Sequence, residues 1–278
     1  MIYNTYSEYL KNKYGERVYK LPVNLPITCP NRDGSKGSGG CLFCSEGGSG
    51  EFSAKCKTTI TEQIEEAIEQ VRKKAGKDAG YIAYFQSFTS TYCAPEYLEK
   101  VMSEASSIEG VEAISVATRP DCLGPEIMEV LKRQAREKPL FVELGLQTSS
   151  DKTAELINRC YKTEEYVKAV AALKSIGANV ITHIIFGLPG ETKDMMMDTV
   201  RLSADAGSDG YKFTCLYILK NTPMETLYNE NKVEILEMEE YFDIVEEAIS
   251  ILPQTAVIHR FTGDGPKNIL IAPSWTMN

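Results

Sequence analysis

Cys29-Pro-Asn-Arg-Asp-Gly-Ser-Lys-Gly-Ser-Gly-Gly-Cys41-Leu-Phe-Cys44 is the stretch whose place in the chain decides the fold. Eleven residues, rich in glycine, separate Cys29 from Cys41, and two separate Cys41 from Cys44. Three thiolates delivered by one loop point to a metal or iron–sulfur site more strongly than to packing. Just upstream, Val18, Leu21, Val23, Leu25 and Ile27 nearly alternate with polar residues. That pattern predicts a strand over Val18 to Thr28 that hands the chain to the cysteine loop. Just downstream, Thr59-Ile60-Thr61-Glu62 is a capping box. The helix it opens runs to about Ala75, with Ile60, Ile64, Ala67, Ile68 and Val71 on one face.

The strand–helix pairing then repeats. Strands are predicted over Tyr81 to Phe85, Val111 to Ala117, Leu140 to Leu146, Val180 to Phe186 and Tyr211 to Leu219. Helices are predicted over Pro95 to Ser106, Pro125 to Arg136, Ser150 to Ile157, Thr163 to Ile176, Thr192 to Ala206 and Met238 to Ile251. Strands apolar on both faces belong in a parallel sheet beneath a layer of helices. No Gly-x-Gly-x-x-Gly turn marks a dinucleotide-binding sheet. The expected fold is therefore α/β, an incomplete (β/α)6 TIM-type barrel with a C-terminal extension. Residues 1–17 form a lead-in helix, 18–252 the partial barrel, and 253–278 an extension packed on it. Barrels of this kind do their chemistry at the C-terminal ends of the strands, which puts the cysteine loop at the mouth.

Composition sets the outer limits. The chain has 278 residues, 43% hydrophobic and 25% charged, as in an ordinary globular enzyme. It shows neither a signal-peptide pattern nor an apolar run long enough to span a bilayer, so the expected location is cytoplasmic, without a membrane partner. In that reducing compartment a Cys-x-x-Cys is metal-binding or redox-active more often than a disulfide. The net charge of −9 excludes a generally basic nucleic-acid coat but not a local basic patch.

The cysteines alone leave two readings open. Eleven residues also separate Cys44 from Cys56, so a four-thiolate zinc or electron-transfer site is a rival, and a non-enzymatic protein with it. Against it stands the single Cys-x-x-Cys pair, where zinc ribbons bring two. Three cysteines without a fourth leave one iron of a 4Fe–4S cluster open to a ligand. Cys93, Cys122, Cys160 and Cys215 have no ligand spacing and read as small core residues.

Further motifs extend the pattern: Val142-Glu143-Leu144-Gly145-Leu146-Gln147-Thr148, Ile157-Asn158-Arg159, and His183-Ile184-Ile185-Phe186-Gly187-Leu188-Pro189-Gly190-Glu191-Thr192. Together with the cysteine loop they resemble the radical S-adenosylmethionine (SAM) superfamily, in the branch of the Elongator catalytic subunit and the methylthiotransferases. The resemblance covers about residues 18 to 220. Within that branch, the wide first cysteine gap, Tyr84-Phe85-Gln86-Ser87, Ala117-Thr118-Arg119-Pro120-Asp121 and His259-Arg260-Phe261-Thr262-Gly263 are similar to the bacterial YtqA/YhcC-type group.

The resemblance implies the rest. Cys29, Cys41 and Cys44 would hold a 4Fe–4S cluster whose fourth iron takes S-adenosyl-L-methionine, which is cleaved reductively to a 5′-deoxyadenosyl radical. Phe43 would lie near the adenine. Gln86 and Ser87 stand where the family has Gly-Gly-Glu and would receive the methionine amino group. Thr118 ends a strand at the mouth. Glu143 and Gln147 would face the ribose or methionine, Arg159 would pair the methionine carboxylate, and His183 would touch the ribose. Leu216 would lend backbone groups to the adenine. The implied substrate is tRNA, at a wobble uridine whose carboxymethylaminomethyl group becomes aminomethyl, with Lys212, His259 and Arg260 as substrate contacts. Flavodoxin or ferredoxin would supply the electron. A protein or small-metabolite substrate is the alternative within the same chemistry.

Overall fold

The structure is a computed structural model that describes residues 3–48, 59–75, 79–263, 265 and 267–277. Its strands are β1 (Asn4–Thr5), β2 (Val18–Val23), β3 (Gly80–Phe85), β4 (Val111–Thr118), β5 (Leu140–Gln147), β6 (Asn179–Phe186), β7 (Gly210–Cys215), β8 (Ile218–Leu219), β9 (Val257–Arg260) and β10 (Leu270–Ala272). Its helices are α1 (Tyr6–Tyr14), α2 (Ile60–Ala75), α3 (Pro95–Ser106), α4 (Pro125–Glu137), α5 (Asp151–Leu156), α6 (Thr163–Ser175), α7 (Lys193–Asp205), α8 (Pro223–Asn229) and α9 (Met238–Ile251). Eight strands form one sheet in the order β1-β9-β7-β6-β5-β4-β3-β2, every neighbouring pair parallel. The sheet curls into an open (β/α) half-barrel, the fold class that the repeated strand–helix pattern predicts.

Two boundaries differ for local reasons. β2 stops at Val23 because the Gln63 side chain on α2 takes over the backbone of Asn24, accepting its N–H at 2.8 Å and donating to its carbonyl at 3.1 Å. The expected strand over Tyr211 to Leu219 breaks at Cys215, and Ile218–Leu219 turns away to pair antiparallel with β10. The capping box forms as predicted: the Thr59 N–H donates to Glu62 at 2.8 Å, and the Glu62 N–H to the Thr59 hydroxyl at 3.2 Å. Helix α8, seven residues long, is not among the predicted helices. The tail contributes more than its strand character promised. Val257–Arg260 enters the sheet beside β7, and β1 pairs on its far side.

Alternation along the strands explains the two cores. Outward residues such as Leu21, Ala83, Ile114, Val142 and Val180 pack under Ile64, Leu98, Leu131, Tyr166 and Leu173 of the helices. Inward residues at the base of the strands, Ile82, Ala113, Phe141 and Ile181, pack on Leu10 of α1. Helix α1 thus closes the floor of the barrel, and Tyr6 stacks on His259 there at 3.9 Å. One step up the same strands, the inward positions turn polar at Tyr84, Ser115, Glu143 and His183, and that change begins the site. No helix among the described residues is long and apolar enough to cross a membrane.

Candidate active site in the barrel mouth

Cys29, Cys41 and Cys44 line one end of a cavity of about 350 Å³ inside the barrel. Little regular structure holds their loop, so side chains do the work. The Asn31 amide donates to the Asn158 carbonyl, and the Asn158 amide donates to the carbonyls of Gly40 (2.8 Å) and Ser38 (3.2 Å). The Leu42 N–H donates to the Ile157 carbonyl at 3.0 Å. Gly37 is required by close approach: a Cβ there would fall 2.1 Å from Asn31 Oδ1. Asn158 and Cys160 both adopt left-handed backbone, at φ 56° and 63°. Strain held at a site by surrounding contacts is a common mark of function.

The donor set suits an iron–sulfur cluster. Asn31 Nδ2 lies 3.5 Å from Cys41 Sγ, and Arg119 Nη1 lies 3.9 Å from Cys29 Sγ, so N–H groups point at the sulfurs. Cys41 and Cys44 interact directly, which raises the Cys41 thiol and lowers that of Cys44. Among the described residues no trio of Cys, His, Asp or Glu converges on the position of a single ion. A cubane, by contrast, takes one thiolate per iron and needs its sulfurs spread. Cys56 lies outside the described residues. Cys93, Cys122 and Cys215 are buried or half-buried, but Cys160 is exposed and so is not the core residue expected.

Deeper in the cavity, Glu143 is the hub. Its carboxylate is fully buried and accepts from Lys20, Lys212, Tyr84 (2.6 Å), His183 (2.9 Å) and Ser115 (3.2 Å). Burial alone would raise its pKa, but the two ammonium groups outweigh burial and hold it well below the usual carboxylate range. Burial pushes Lys212 down to about 7 and His183 down to about 4. The expectation that Glu143 faces the ribose therefore meets a carboxylate already engaged on both oxygens. Lys20 and Tyr84, which are not among the predicted site residues, belong to this cluster. Six strands, β2 to β7, bring it together, and only the curl of the sheet does that.

Arg159 lines the cavity as well, but its donors are turned to the protein. It is fully buried, and its guanidinium donates to the carbonyls of Leu146 and Thr148, both at 2.6 Å. It also donates to the Tyr161 carbonyl and to the Thr163 hydroxyl at 3.1 Å. With all five N–H groups engaged and the Asp151 carboxylate 3.6 Å away, none is left for the carboxylate of a ligand, and Arg159 ties the end of β5 to the α5–α6 loop. Arg119 does approach a thiol, that of Cys29, and is held by two 2.9 Å bonds to Asp121 with its guanidinium over the Tyr161 ring at 4.9 Å. The Arg-Pro-Asp after β4 was the signal for it.

The other predicted residues sort by position. Phe43, Gln86, Thr118, Gln147, His183 and Leu216 line the cavity. Gln147 sits at φ 61° on an irregularity of β5 and accepts from the Tyr161 hydroxyl at 3.0 Å. Gly145 leaves room for it, since a Cβ there would meet the Gln147 amide nitrogen at 2.5 Å. The Leu216 N–H is taken by the Phe186 carbonyl at 2.9 Å, which leaves only other groups for a ligand. Ser87 is buried without lining the cavity. Lys212 and Arg260 stand side by side in register on β7 and β9, and Arg260 lines the cavity. His259 instead packs in the floor beneath.

Comparison with known proteins agrees with this architecture. Residues 29–203 match the model of the radical SAM superfamily, and residues 208–278 that of the radical SAM C-terminal domain. The chain is 40% identical over 276 residues to the uncharacterized protein YtqA of Bacillus subtilis, covering 99% of this chain and 85% of that one. It is 32% identical over 278 residues to protein YhcC of Escherichia coli, covering 99% and 88%. A 163-residue segment is 28% identical to a tRNA uridine(34) acetyltransferase of Methanocaldococcus jannaschii, covering 57% of this chain and 29% of that protein. In fold it is similar to Elp3 of Methanocaldococcus infernus, with a TM-score of 0.71 at 18% identity, covering 92% of this chain but only 59% of that one. With the cysteine loop at the mouth of an open barrel and family matches over most of its length, the chain belongs to the radical SAM superfamily of enzymes.

Proposed function

We propose that the chain is a cytoplasmic tRNA-modifying enzyme. In this reading Cys29, Cys41 and Cys44 hold a 4Fe–4S cluster, and SAM occupies the cavity beside them. The observation that carries the reading is the convergence of these three cysteines on one cavity whose floor is closed by α1. When bound, the cluster and SAM supply a 5′-deoxyadenosyl radical that takes a hydrogen atom from the substrate, with flavodoxin or ferredoxin as electron source. The residues of the chain position and enclose. Phe43 offers an aromatic face at the mouth, Gln86, Thr118 and Gln147 offer polar groups along the wall, and the apolar floor excludes water.

The proposed substrate is carboxymethylaminomethyl-uridine at the tRNA wobble position. Loss of a hydrogen atom from the carbon next to its carboxylate, then of one electron, leaves a protonated imine. The electron released balances the one that SAM cleavage consumes. Water adds to the imine, and the products are aminomethyl-uridine and glyoxylate. The likeness of a 163-residue segment to a tRNA uridine(34) acetyltransferase supports a wobble uridine as the target.

Two measurements test this in order. An anaerobic preparation should be brown with a broad band near ~400 nm, and Cys41→Ala should lose both the colour and SAM cleavage. A colourless zinc protein would end the radical reading. Wobble nucleosides from strains with and without the gene should differ, carboxymethylaminomethyl-uridine accumulating in its absence. Unchanged nucleosides would remove tRNA as the substrate and leave a protein or a small metabolite.

A further inference from the structure

We propose that the inner end of the cavity is a carboxylate subsite for the substrate, with the Arg260 guanidinium as its contact and Lys212 and Lys20 as the surplus positive charge behind it. The proposal rests on the preceding reading only for which molecule bears the carboxylate.

The argument starts from register. His183, Lys212 and Arg260 are consecutive partners across β6, β7 and β9, so they form one level of the barrel wall. Leu216, in the apolar cluster on which Phe43 of the cysteine loop packs, lies just past Cys215, the end of β7. At a strand rise of roughly 3.3 Å per residue, the steps from Lys212 to Cys215 separate the cationic level from the mouth by about 10 Å. The cavity spans both ends: the cysteines line one, and Tyr84, Glu143, His183 and Arg260 line the other.

The charge at the inner end does not balance. Lys20, Lys212 and Arg260 face one carboxylate, that of Glu143, whose two oxygens are already occupied by Lys20, Lys212, Tyr84, His183 and Ser115. His183 is neutral there, held at about 4 by burial, and adds no charge. Glu143 therefore cannot also serve Arg260. Arg260 is the solvent-exposed member of this level and, among the described residues, makes one hydrogen bond, to the neutral Thr214 hydroxyl at 2.7 Å, so its guanidinium is open to a ligand from the solvent side. The same excess shows at Lys212, which is pushed down to about 7, with Lys20 and Arg260 adding to the effect of burial. A bound monoanion would offset part of the surplus, and the planar fork of an arginine suits a carboxylate. In the substrate proposed above, the carboxylate is the only anionic group of the modified side chain. SAM carries a carboxylate too, and the test must separate the two.

The test is equilibrium binding to the reconstituted, SAM-loaded full chain. The probes are two anticodon stem-loop RNAs, one with carboxymethylaminomethyl-uridine at the wobble position and one with its neutral carboxamide. The wild type should prefer the carboxylate RNA by about tenfold to a hundredfold, the scale of one charged hydrogen-bonded contact. Arg260→Gln should abolish that preference, and Arg260→Lys should restore part of it, with iron content unchanged in both. N-benzylglycine and N-benzylglycinamide provide a second pair. If only the small pair is discriminated, and Arg260→Gln erases this, the subsite stands and the tRNA reading falls. Absence of discrimination in both pairs, or its persistence in Arg260→Gln, overturns the subsite. A weaker SAM affinity in Arg260→Gln with substrate discrimination intact would assign the arginine to SAM and also overturns it.

Discussion

Asn31 and Asn158 clasp the cysteine loop from both sides: the Asn31 amide donates to the Asn158 carbonyl, while the Asn158 amide donates back to the Ser38 and Gly40 carbonyls. The loop thus depends on a residue far along the chain for its shape. Asn158→Gly keeps the left-handed backbone available and removes the clasp, whereas Asn158→Ala removes the clasp and adds strain. Both variants should bind less iron on reconstitution, Ala more severely, with the loop cut faster by protease. Full iron loading in Asn158→Gly would show that the clasp is dispensable.

Gly145→Ala tests the placement of Gln147. The new Cβ would lie 2.5 Å from the Gln147 amide, which must swing away from the Tyr161 hydroxyl. SAM turnover should fall by about tenfold or more, the scale at which misplaced groups cost rate. The urea midpoint should move little, because only the tip of a side chain shifts. An unchanged turnover would take Gln147 out of the active site.

Glu143→Gln should be among the most damaging single changes in the barrel. It leaves two ammonium groups at the inner end with no opposing charge. Breaking a buried pair in this way costs about 3–5 kcal/mol. Urea denaturation measures it. The paired change Glu143→Gln with Lys20→Met should recover part of the loss, and a double variant no better than the single would dissolve the ion-cluster account.

Acid should destabilise the fold first through its two histidines. In the unfolded chain a histidine titrates near ~6.5. In the fold, burial pushes His183 down to about 4 and His259 well below its ordinary value. Both folded pKa values are depressed, so below pH 6.5 the unfolded chain takes up protons that the fold refuses. The stability is therefore complete above that pH and is lost as pH falls, by up to about 1.4 kcal/mol per pH unit for each histidine. Glu143, also depressed, contributes above its unfolded value and loses that contribution only at still lower pH. His259→Phe should keep the stack on Tyr6 and halve the slope of urea midpoints between pH 5 and 6.5. It should not cost stability at pH 7, because His259 Nδ1 is buried without a hydrogen-bond partner among the described residues. An unchanged slope would mean that His259 titrates normally.

Residues that act through their own segment were legible in the sequence. The apolar runs of β3 to β6, the capping box at Thr59 and Glu62, and the cysteine spacing each declare themselves within a dozen residues. What stayed hidden was convergence. Glu143 meets Lys20 and Lys212 across 123 and 69 residues of chain, and no local pattern reports that distance. The same holds for Arg159, whose polarity suggested a ligand partner. Its donors meet four backbone or hydroxyl acceptors that become neighbours only when β5 ends and the next loop turns back. The tail strand β9 was visible as apolar residues, but its seat beside β7 is a property of the curled sheet.

That seat sets a timetable for synthesis. Asn4 donates to the Gln254 carbonyl at 2.6 Å, across 250 residues, and β1 can pair only with β9. At about 5–20 residues per second on the ribosome, the first strand waits on the order of ten seconds to a minute for its partner. Through that interval the Tyr6 and Tyr9 face of α1 and the open edge of β7 need shielding, which makes the nascent chain, more than the finished enzyme, the state in which a chaperone has something to hold.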